Sequence, residues 1–230
     1  MLRFEDATAQ LGEFRLHANL KLRTGTRVAV IGPSGSGKST LLGIVSGFVP
    51  LSEGRVTWYG HDLISQPPGE RPASILFQDQ NLFPHLSVAQ NVGLGLRSDL
   101  RLTTKQHDAV AHALQQVGLD ELADRRPAQL SGGQQSRVAL ARVALHARPI
   151  LLLDEAFSAL GPALKTEMLE LLSRITDENG AIVLMVTHDP QDALAFAPET
   201  IVVMDGVAHP PTPTKELLDN PPTALRTYLG

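Results

Sequence analysis

Short continuous apolar runs alternate with helical patterns along most of this chain. The run RVAVI at 27–31 predicts a buried strand, and KSTLLGIVSGF shortly after it has the apolar spacing of a helix. The same alternation returns at ILLLDE (150–155), with a helix predicted near 162–176 and a strand in AIVLMVTH at 181–188. Strands that alternate with helices favour a largely parallel sheet, which binds ligands at the carboxyl ends of its strands.

Two regions depart from this alternation. Residues 1–24 contain alternating stretches that predict antiparallel strands at a sheet edge. From 79 to 147 the apolar spacing is mostly helical, following ASILFQ, a predicted strand that ends at Gln78. The predicted fold class is therefore α/β: a mostly parallel core sheet with an N-terminal antiparallel β region and an inserted α-helical subdomain. We interpret 1–230 as one domain, with 1–78 and 148–230 as its core and 79–147 as the insertion; the Gly- and Pro-rich stretch at 50–73 is interpreted as a connection.

Composition narrows the choice of compartment and partner. The chain has 230 residues, no cysteine, a net charge of −4 and a pI near 6.0. The absence of cysteine excludes disulfides and thiolate metal ligands, and the acidic balance leaves no basic footprint, so we expect no nucleic-acid partner. Neither a signal peptide at the start nor an apolar run of roughly 20 residues is present in the sequence. We therefore expect a soluble, cytoplasmic chain.

A glycine-rich loop between the first buried strand and its helix carries the clearest chemistry. GPSGSGKST at 32–40 fits the pattern G-x-x-x-x-G-K-S/T in the strand–loop–helix context that this motif requires. Backbone N–H groups of such a loop bind a polyphosphate, Lys38 reaches the β- and γ-phosphates, and Ser39 ligates Mg²⁺. This predicts a P-loop NTPase with a RecA-like sheet that binds a nucleotide and Mg²⁺, a class that also includes kinases and GTPases. The predicted nucleotide-binding residues, assigned to ATP by the family resemblance below, are Gly32, Pro33, Ser34, Gly35, Ser36, Gly37, Lys38, Ser39 and Thr40.

Two adjacent carboxylates follow a later buried strand. Asp154 ends ILLLD, where a carboxylate can hold Mg²⁺, usually through water, and Glu155 is placed to polarise the attacking water. A strand-end pair of this kind is often only a solvated terminus, but the P-loop makes a catalytic role the favoured hypothesis.

A second glycine-bearing motif points to a family. In LSGGQQSRVALAR (130–142), Ser131, Gly132 and Gly133 precede a predicted helix and offer N–H donors to an anion. Together with GPSGSGKST, a strand-end Gln78, ILLLDE and His188, all in this order, the motif resembles the ATP-binding cassette (ABC) family over nearly the whole chain.

The resemblance implies several roles. Two subunits would meet head to tail, with each ATP between the P-loop of one and LSGGQ of the other, which adds Gln134 to the ATP-binding set. Gln78 would touch Mg²⁺ or the attacking water, and His188 would contact the γ-phosphate. The implied catalytic residues are Glu155, His188 and Gln78, and the implied metal site comprises Ser39, Gln78 and Asp154.

The resemblance also implies a transport role. In ABC importers the segment after the strand-end glutamine receives a helix of the transmembrane permease, and here Leu82, Phe83, Pro84 and Leu86 form an apolar turn; ordinary core filling is the alternative. Within the family the chain is most similar to ATPases of bacterial thiamine importers. This implies an energising subunit at the cytoplasmic face of the inner membrane, bound to the permease and linked only indirectly to a periplasmic solute-binding protein. Alternatives are importers of iron, polyamine, sulfate or phosphate, and a non-transport ABC protein acting on nucleic acid.

Three positions depart from the family pattern. Ala156 replaces a usual Pro, Gly161 a usual Asp, and Gln135 a common Arg. Gly161, which lacks the carboxylate, and Ala156 together motivate a further hypothesis, a cassette that binds ATP but barely hydrolyses it. Leu11 stands about where an adenine-stacking aromatic is expected, and Phe14 is the nearest ring.

Overall fold

The computed structural model describes residues 1–222 and 225–226, which form two compact units. The first unit comprises 1–73, 149–155 and the described residues from 179 onward, and the second comprises 74–148 and 156–178. Within the described residues, no helix is long and apolar enough to span a membrane.

The strands and helices follow one another in the alternation that the sequence predicts. In chain order the strands are β1 (Leu2–Leu11), β2 (Phe14–Leu22), β3 (Arg27–Ile31), β4 (Glu53–Trp58), β5 (His61–Asp62), β6 (Ala73–Phe77), β7 (Ile150–Asp154), β8 (Ile182–Val186), β9 (Glu199–Met204), β10 (Val207–Ala208) and β11 (Thr212–Pro213). The α-helices are α1 (Lys38–Ser46), α2 (Val88–Gly93), α3 (Thr104–Gln116), α4 (Gly132–His146), α5 (Pro162–Asn179), α6 (Pro190–Phe196) and α7 (Thr214–Asp219).

The sheet of the first unit has a parallel part and an antiparallel part. Its strands lie in the order β5-β4-β1-β2-β10-β9-β3-β8-β7, and β11 pairs with β9. β3 pairs in parallel with β8 and β9, and β7 in parallel with β8. All residues of β8 are buried, as the continuous apolar run predicts for a strand covered on both faces. The α/β class with an N-terminal antiparallel region is thereby confirmed.

The prediction that residues 1–24 lie at a sheet edge is wrong, although their antiparallel pairing is confirmed. β4 and β5 extend the sheet beyond β1, from within the stretch interpreted as a connection. The sequence signal of β4 is weak because its first three residues are exposed and only Val56 and Thr57 are buried. Gly54 lies against a register shift in β1, and a Cβ there would stand 2.2 Å from the Asp6 carbonyl oxygen.

The second unit contains the predicted helical insertion, and residues 79–147 form helices and turns without a strand. α2, α3 and α4 each begin with a reciprocal capping box, at Ser87, Thr103 and Ser131. Residues 156–178 group with this unit, whereas the sequence interpretation assigned them to the core. The packing explains the grouping, because Leu164 of α5 lies against Gly133 and Glu167 pairs with Arg137 of α4.

Candidate nucleotide-binding site

The glycine-rich loop connects the buried strand β3 to helix α1 in the first unit. Gly32 has φ of 152°, and a Cβ there would lie 2.0 Å from the Val203 carbonyl oxygen in β9, so only glycine lets the loop leave β3 this way. Gly37 has φ of 106° and is the N-cap of α1. The sequence folds here into a loop whose shape depends on the absence of side chains.

The start of α1 is left open by its own side chains. Gly37 supplies no side-chain cap, and the first turn of α1 contains no acidic residue. The first N–H groups of the helix and the positive end of its dipole are therefore available to an external anion. The Ser36 hydroxyl oxygen is buried and has no hydrogen-bond partner within the described residues. An unsatisfied hydroxyl beside an open helix start fits a phosphate-bearing ligand.

Lys38 is buried under the loop, with 8% of its surface exposed. Its Nζ donates to the carbonyl oxygens of Gly32 and Pro33, both at 2.8 Å. Burial lowers the pKa of Lys38, while the nearby carboxylates Glu155 and Asp154 act in the opposite direction. An anion that reached the loop would restore a counter-charge to this desolvated ammonium.

Ser39 and Asp154 meet at the carboxyl end of β7. The Ser39 hydroxyl donates to Asp154 Oδ1 at 3.0 Å. Burial raises the pKa of Asp154, the Ser39 bond and Lys38 lower it, and Glu155 raises it. Within the described residues no group of three or more His, Asp or Glu side chains could hold a metal ion by itself. One hydroxyl and one carboxylate suit Mg²⁺, which keeps waters and takes ligands from phosphates instead of from an all-protein cage.

Glu155 and His188 stand together at the mouth of the site. His188 Nδ1 lies 3.7 Å from Glu155 Oε2, and both side chains are exposed to solvent, so this pair contributes little to stability. Glu155 has a left-handed φ of 50°, which turns the chain sharply after β7.

The turn that carries His188 is fixed by residues that the motif analysis missed. Thr187 Oγ1 donates to the Asp192 carboxylate at 2.8 Å, and Asp189 caps α6 by accepting from the Gln191 N–H. The Asp-Pro pair at the start of α6 is the signal that could have predicted this cap.

A cavity of about 430 Å³ lies at the phosphate loop. Its lining consists of Phe14, Gly32, Ser34, Gly35, Gly37, Lys38, Ser39, Thr40, Glu155 and His188. Phe14 belongs to this lining, and its ring edge would be 2.8 Å from a Cβ at Gly37. Leu11 is 44% exposed and is not part of the lining. Phe14 is thus the ring that the cavity offers.

A larger groove in the same unit has different chemistry. It measures about 800 Å³ and lies over β1 and β2, where Arg3, Lys21 and Arg23 stand among its lining residues. None of the predicted ATP-binding residues borders it. The predicted site therefore lies at the phosphate loop and not in this larger groove.

The LSGGQ motif lies in the second unit, and one detail of its prediction is wrong. Gly132 and Gly133 do not precede the helix; they are its first two residues, and Ser131 is the N-cap. Glycine is tolerated there because the first N–H groups of a helix have no internal acceptor, and the capping box fixes the chain. Ser131 Oγ accepts from the Gln134 N–H, while Gln134 Oε1 accepts from the Ser131 N–H at 2.9 Å. A Cβ at Gly133 would lie 2.4 Å from Leu164, whereas Gly132 is open to solvent.

The remaining predicted positions are also in the second unit. Gln78 is exposed and follows β6, which ends at Phe77, one residue earlier than predicted. Gln135, where the family commonly has Arg, donates to the carbonyl oxygens of Pro127 and Leu130 and so holds the loop before LSGGQ. Gly161 is exposed, its φ is not in the left-handed region, and a Cβ there would meet nothing within 4 Å. A side chain at 161 would therefore be accommodated.

A phosphate loop after a central parallel strand, with a serine–aspartate pair at the end of another strand of the sheet, defines a P-loop nucleotide-binding protein. Residues 16–158 match the family model described as ABC transporter, and the chain belongs to this family.

Two curated relatives match this chain over its whole length and theirs. The thiamine import ATP-binding protein ThiQ of Ruegeria sp. (strain TM1040) is 55% identical over 230 residues, and that of Cereibacter sphaeroides is 56% identical over 230 residues. Among solved structures, the dimeric ATP-binding cassette MJ0796, bound to ADP and Pi in a post-hydrolysis state, matches with a TM-score of 0.78 and 31% identity. That match covers 93% of this chain and 99% of the other.

Proposed function

We propose that this chain is the ATP-hydrolysing subunit that powers a bacterial thiamine importer. The observation that carries the proposal is the single cavity that joins the open phosphate loop and Lys38 to Ser39, Glu155 and His188. The full-length identity of 55% and 56% to the two thiamine import proteins supports thiamine as the solute. No residue of the cavity contacts solute in this proposal, since its chemistry is that of a polyphosphate site.

The residues divide the work on ATP among themselves. Backbone N–H groups of the loop and the start of α1 bind the phosphates, and Lys38 exchanges its two carbonyl partners for phosphate oxygens. Ser39 and Asp154 would hold Mg²⁺, which would supply positive charge to neutralise the phosphates. Glu155 orients the attacking water and accepts its proton, while His188 contacts the terminal phosphate. Phe14 supplies the stacking face for adenine.

The partners follow from the same proposal. Ser131, Gly132, Gly133 and Gln134 complete the site of a second copy in a head-to-tail dimer, which the dimeric MJ0796 cassette supports. The turn at Leu82–Leu86 receives the transmembrane permease at the inner face of the bacterial inner membrane, and a periplasmic binding protein delivers the solute.

Reconstitution tests the importer and its solute together. The chain, its permease and the periplasmic binding protein are placed in proteoliposomes, and ATP hydrolysis is measured with and without thiamine. We expect thiamine to stimulate hydrolysis and to accumulate inside the vesicles, whereas spermidine, sulfate, phosphate and ferric iron do neither. Stimulation by one of those solutes in place of thiamine would refute the assignment.

The role of Glu155 is tested separately. Glu155→Gln keeps the size of the side chain and removes its basicity, so we expect hydrolysis to fall by a factor of about 10² to 10⁴. ATP affinity should stay within about twofold, because no phosphate contact is assigned to this side chain. Hydrolysis that survived in Glu155→Gln at the wild-type rate would exclude Glu155 as the general base.

A further inference from the structure

The segment between Gln78 and helix α2 contains two consecutive residues with left-handed backbone. Gln80 and Asn81 have φ values of 56° and 46°. Asparagine adopts this conformation readily, but for glutamine it costs on the order of 1 kcal/mol, so neighbouring structure must hold Gln80 in it. The segment is therefore held in place by contacts and not by its own preference.

Helix α4, which begins with the LSGGQ glycines, supplies those contacts. Gln80 Nε2 donates to Ser136 Oγ at 2.7 Å, and Ser136 Oγ donates in turn to the Gly132 carbonyl oxygen at 3.1 Å. Arg142 donates from Nη2 to the Gln80 carbonyl oxygen at 2.8 Å and from Nη1 to the Asn81 carbonyl oxygen at 2.9 Å. A continuous set of hydrogen bonds thus runs from the left-handed pair to the second residue of SGGQ.

The two α4 side chains that make these bonds are costly to bury. Ser136 is fully buried. Burial also lowers the pKa of Arg142. Within the described part of the chain, its guanidinium donates to these two carbonyl oxygens and pairs with no carboxylate. The partly desolvated Arg142 guanidinium therefore fixes the backbone of Gln80 and Asn81 and, among the described residues, does not form a surface ion pair.

The far end of the segment is equally fixed. Asn91, 0% exposed, accepts from the Phe83 N–H at 2.8 Å and donates to the carbonyl oxygens of Phe83, Leu86 and Ser87. Phe83 is 46% exposed, and its ring stacks edge to face with His85. The turn therefore presents an apolar face on a frame tied to α2, while the preceding pair is tied to α4.

We infer that Arg142 and Ser136 are positioning residues that transmit the state of the Phe83 turn to the LSGGQ end of α4. Because the left-handed pair is bonded to α4 at both carbonyls and one side chain, a displacement of the turn by a bound partner must move or strain α4. Gly132, which lies at the other end of the Ser136 bond, would then shift its N–H groups relative to the second copy. This inference rests on the proposed importer function.

The ratio of stimulated to basal hydrolysis in the reconstituted importer tests the inference. In Arg142→Gln we expect solute stimulation to fall about tenfold, since hydrogen bonds from a charged group are lost, while MgATP affinity of the chain is unchanged. Ser136→Ala should lower the ratio less, and Arg142→Lys should retain part of it. Arg137→Gln is the matched control, because Arg137 lies on the same helix and bonds instead to Val117 and Glu167; its ratio should stay at the wild-type value.

A residue with a merely structural role would lower basal and stimulated rates together and leave the ratio unchanged. An unchanged ratio in Arg142→Gln, or in Ser136→Ala and Arg142→Lys if Arg142→Gln does not fold, overturns the inference. Hydrogen exchange on the full Arg142→Gln chain gives an independent readout. We expect faster exchange than in the wild type at 79–83 and unchanged exchange in α3. If wild-type hydrolysis does not respond to solute at all, the proposed function fails, and the exchange result decides the inference: localised acceleration supports it, and unchanged exchange overturns it.

Discussion

Helices α1 and α4 both have glycines at their N-terminal ends, yet they differ in how their first N–H groups are satisfied. The N-cap of α1 is Gly37, which provides no side-chain cap; Lys38 is buried, and the Ser36 hydroxyl has no hydrogen-bond partner within the described residues. α4 starts at Ser131 with a complete capping box and has open space above Gly132. The difference indicates that the first N–H groups of α1 need a ligand as hydrogen-bond acceptor. In α4 the capping box already binds part of these groups, so only the remaining N–H groups can bind a ligand.

The largest effect on this difference between α1 and α4 is expected when the cation at the start of α1 is removed. In Lys38→Met we expect MgATP affinity of the chain to fall roughly 100-fold, or about 2.8 kcal/mol. The free energy of unfolding without nucleotide should change by no more than about 1 kcal/mol, since the cost of burying the ammonium offsets its two hydrogen bonds. Calorimetric titration and urea unfolding measure the two quantities. A large loss of stability with unchanged MgATP affinity would show that Lys38 stabilises the fold and does not bind the nucleotide.

The matching change at α4 should give the opposite result. Ser131→Ala removes the N-cap, and we expect a loss of about 1 kcal/mol in the free energy of unfolding. MgATP affinity of the isolated chain should not change, because Ser131 lies outside the cavity around the P-loop. Ser131→Asp, which can also cap the helix, should restore most of the stability. Weaker ATP binding by a monomeric Ser131→Ala chain would contradict this division.

A third test uses pH to probe the carboxylate beside α1. Burial raises the pKa of Asp154, so its ionised form is disfavoured in the folded state without metal. Asp154→Asn should therefore raise the free energy of unfolding at neutral pH. The gain should disappear as pH falls through the raised pKa of Asp154, where the wild-type group is already neutral. Urea unfolding of both chains across the acidic range measures this, and a gain that persisted at the lowest pH would exclude the ionisation of Asp154 as its cause.

The smallest effect is expected at the start of α5. Gly161 lies just before Pro162, and its carbonyl oxygen accepts from the Lys165 N–H at 2.9 Å. Gly161→Asp introduces a better N-cap into open space, so we expect a gain of a few tenths of a kcal/mol in thermal unfolding. If the missing carboxylate limits turnover, hydrolysis by the importer complex should also rise. If Gly161→Asp stabilised the protein without faster hydrolysis, the missing carboxylate would not be the cause of slow turnover.

Sequence patterns predicted the parallel strands and the position of the glycine-rich loop between β3 and α1 for the same reason. Buried strands such as β3 and β8 read as unbroken apolar runs, and the P-loop spacing is tied to its strand and helix context. β4 was missed because only its end is buried, and the two-residue strand β10 is too short to form a pattern.

Motifs predict which residues form a site, but they do not predict the hydrogen bonds that these residues make when no ligand is bound. The hydrogen bonds of Lys38 to two carbonyl oxygens and the capping role of Ser131 required coordinates. The bonds from α4 to the left-handed pair at 80–81 lie outside any short motif, since 56 residues separate Gln80 from Ser136.

The bonds of Asn91 have a consequence for engineering. They reach only main-chain atoms of Phe83, Leu86 and Ser87, so the turn keeps its shape whatever side chains it carries at 83 and 85. The scaffold and the proposed permease-binding surface are therefore independent parts. A library randomised at Phe83 and His85 alone could be selected for docking to a foreign permease, with the folding of α2 left intact.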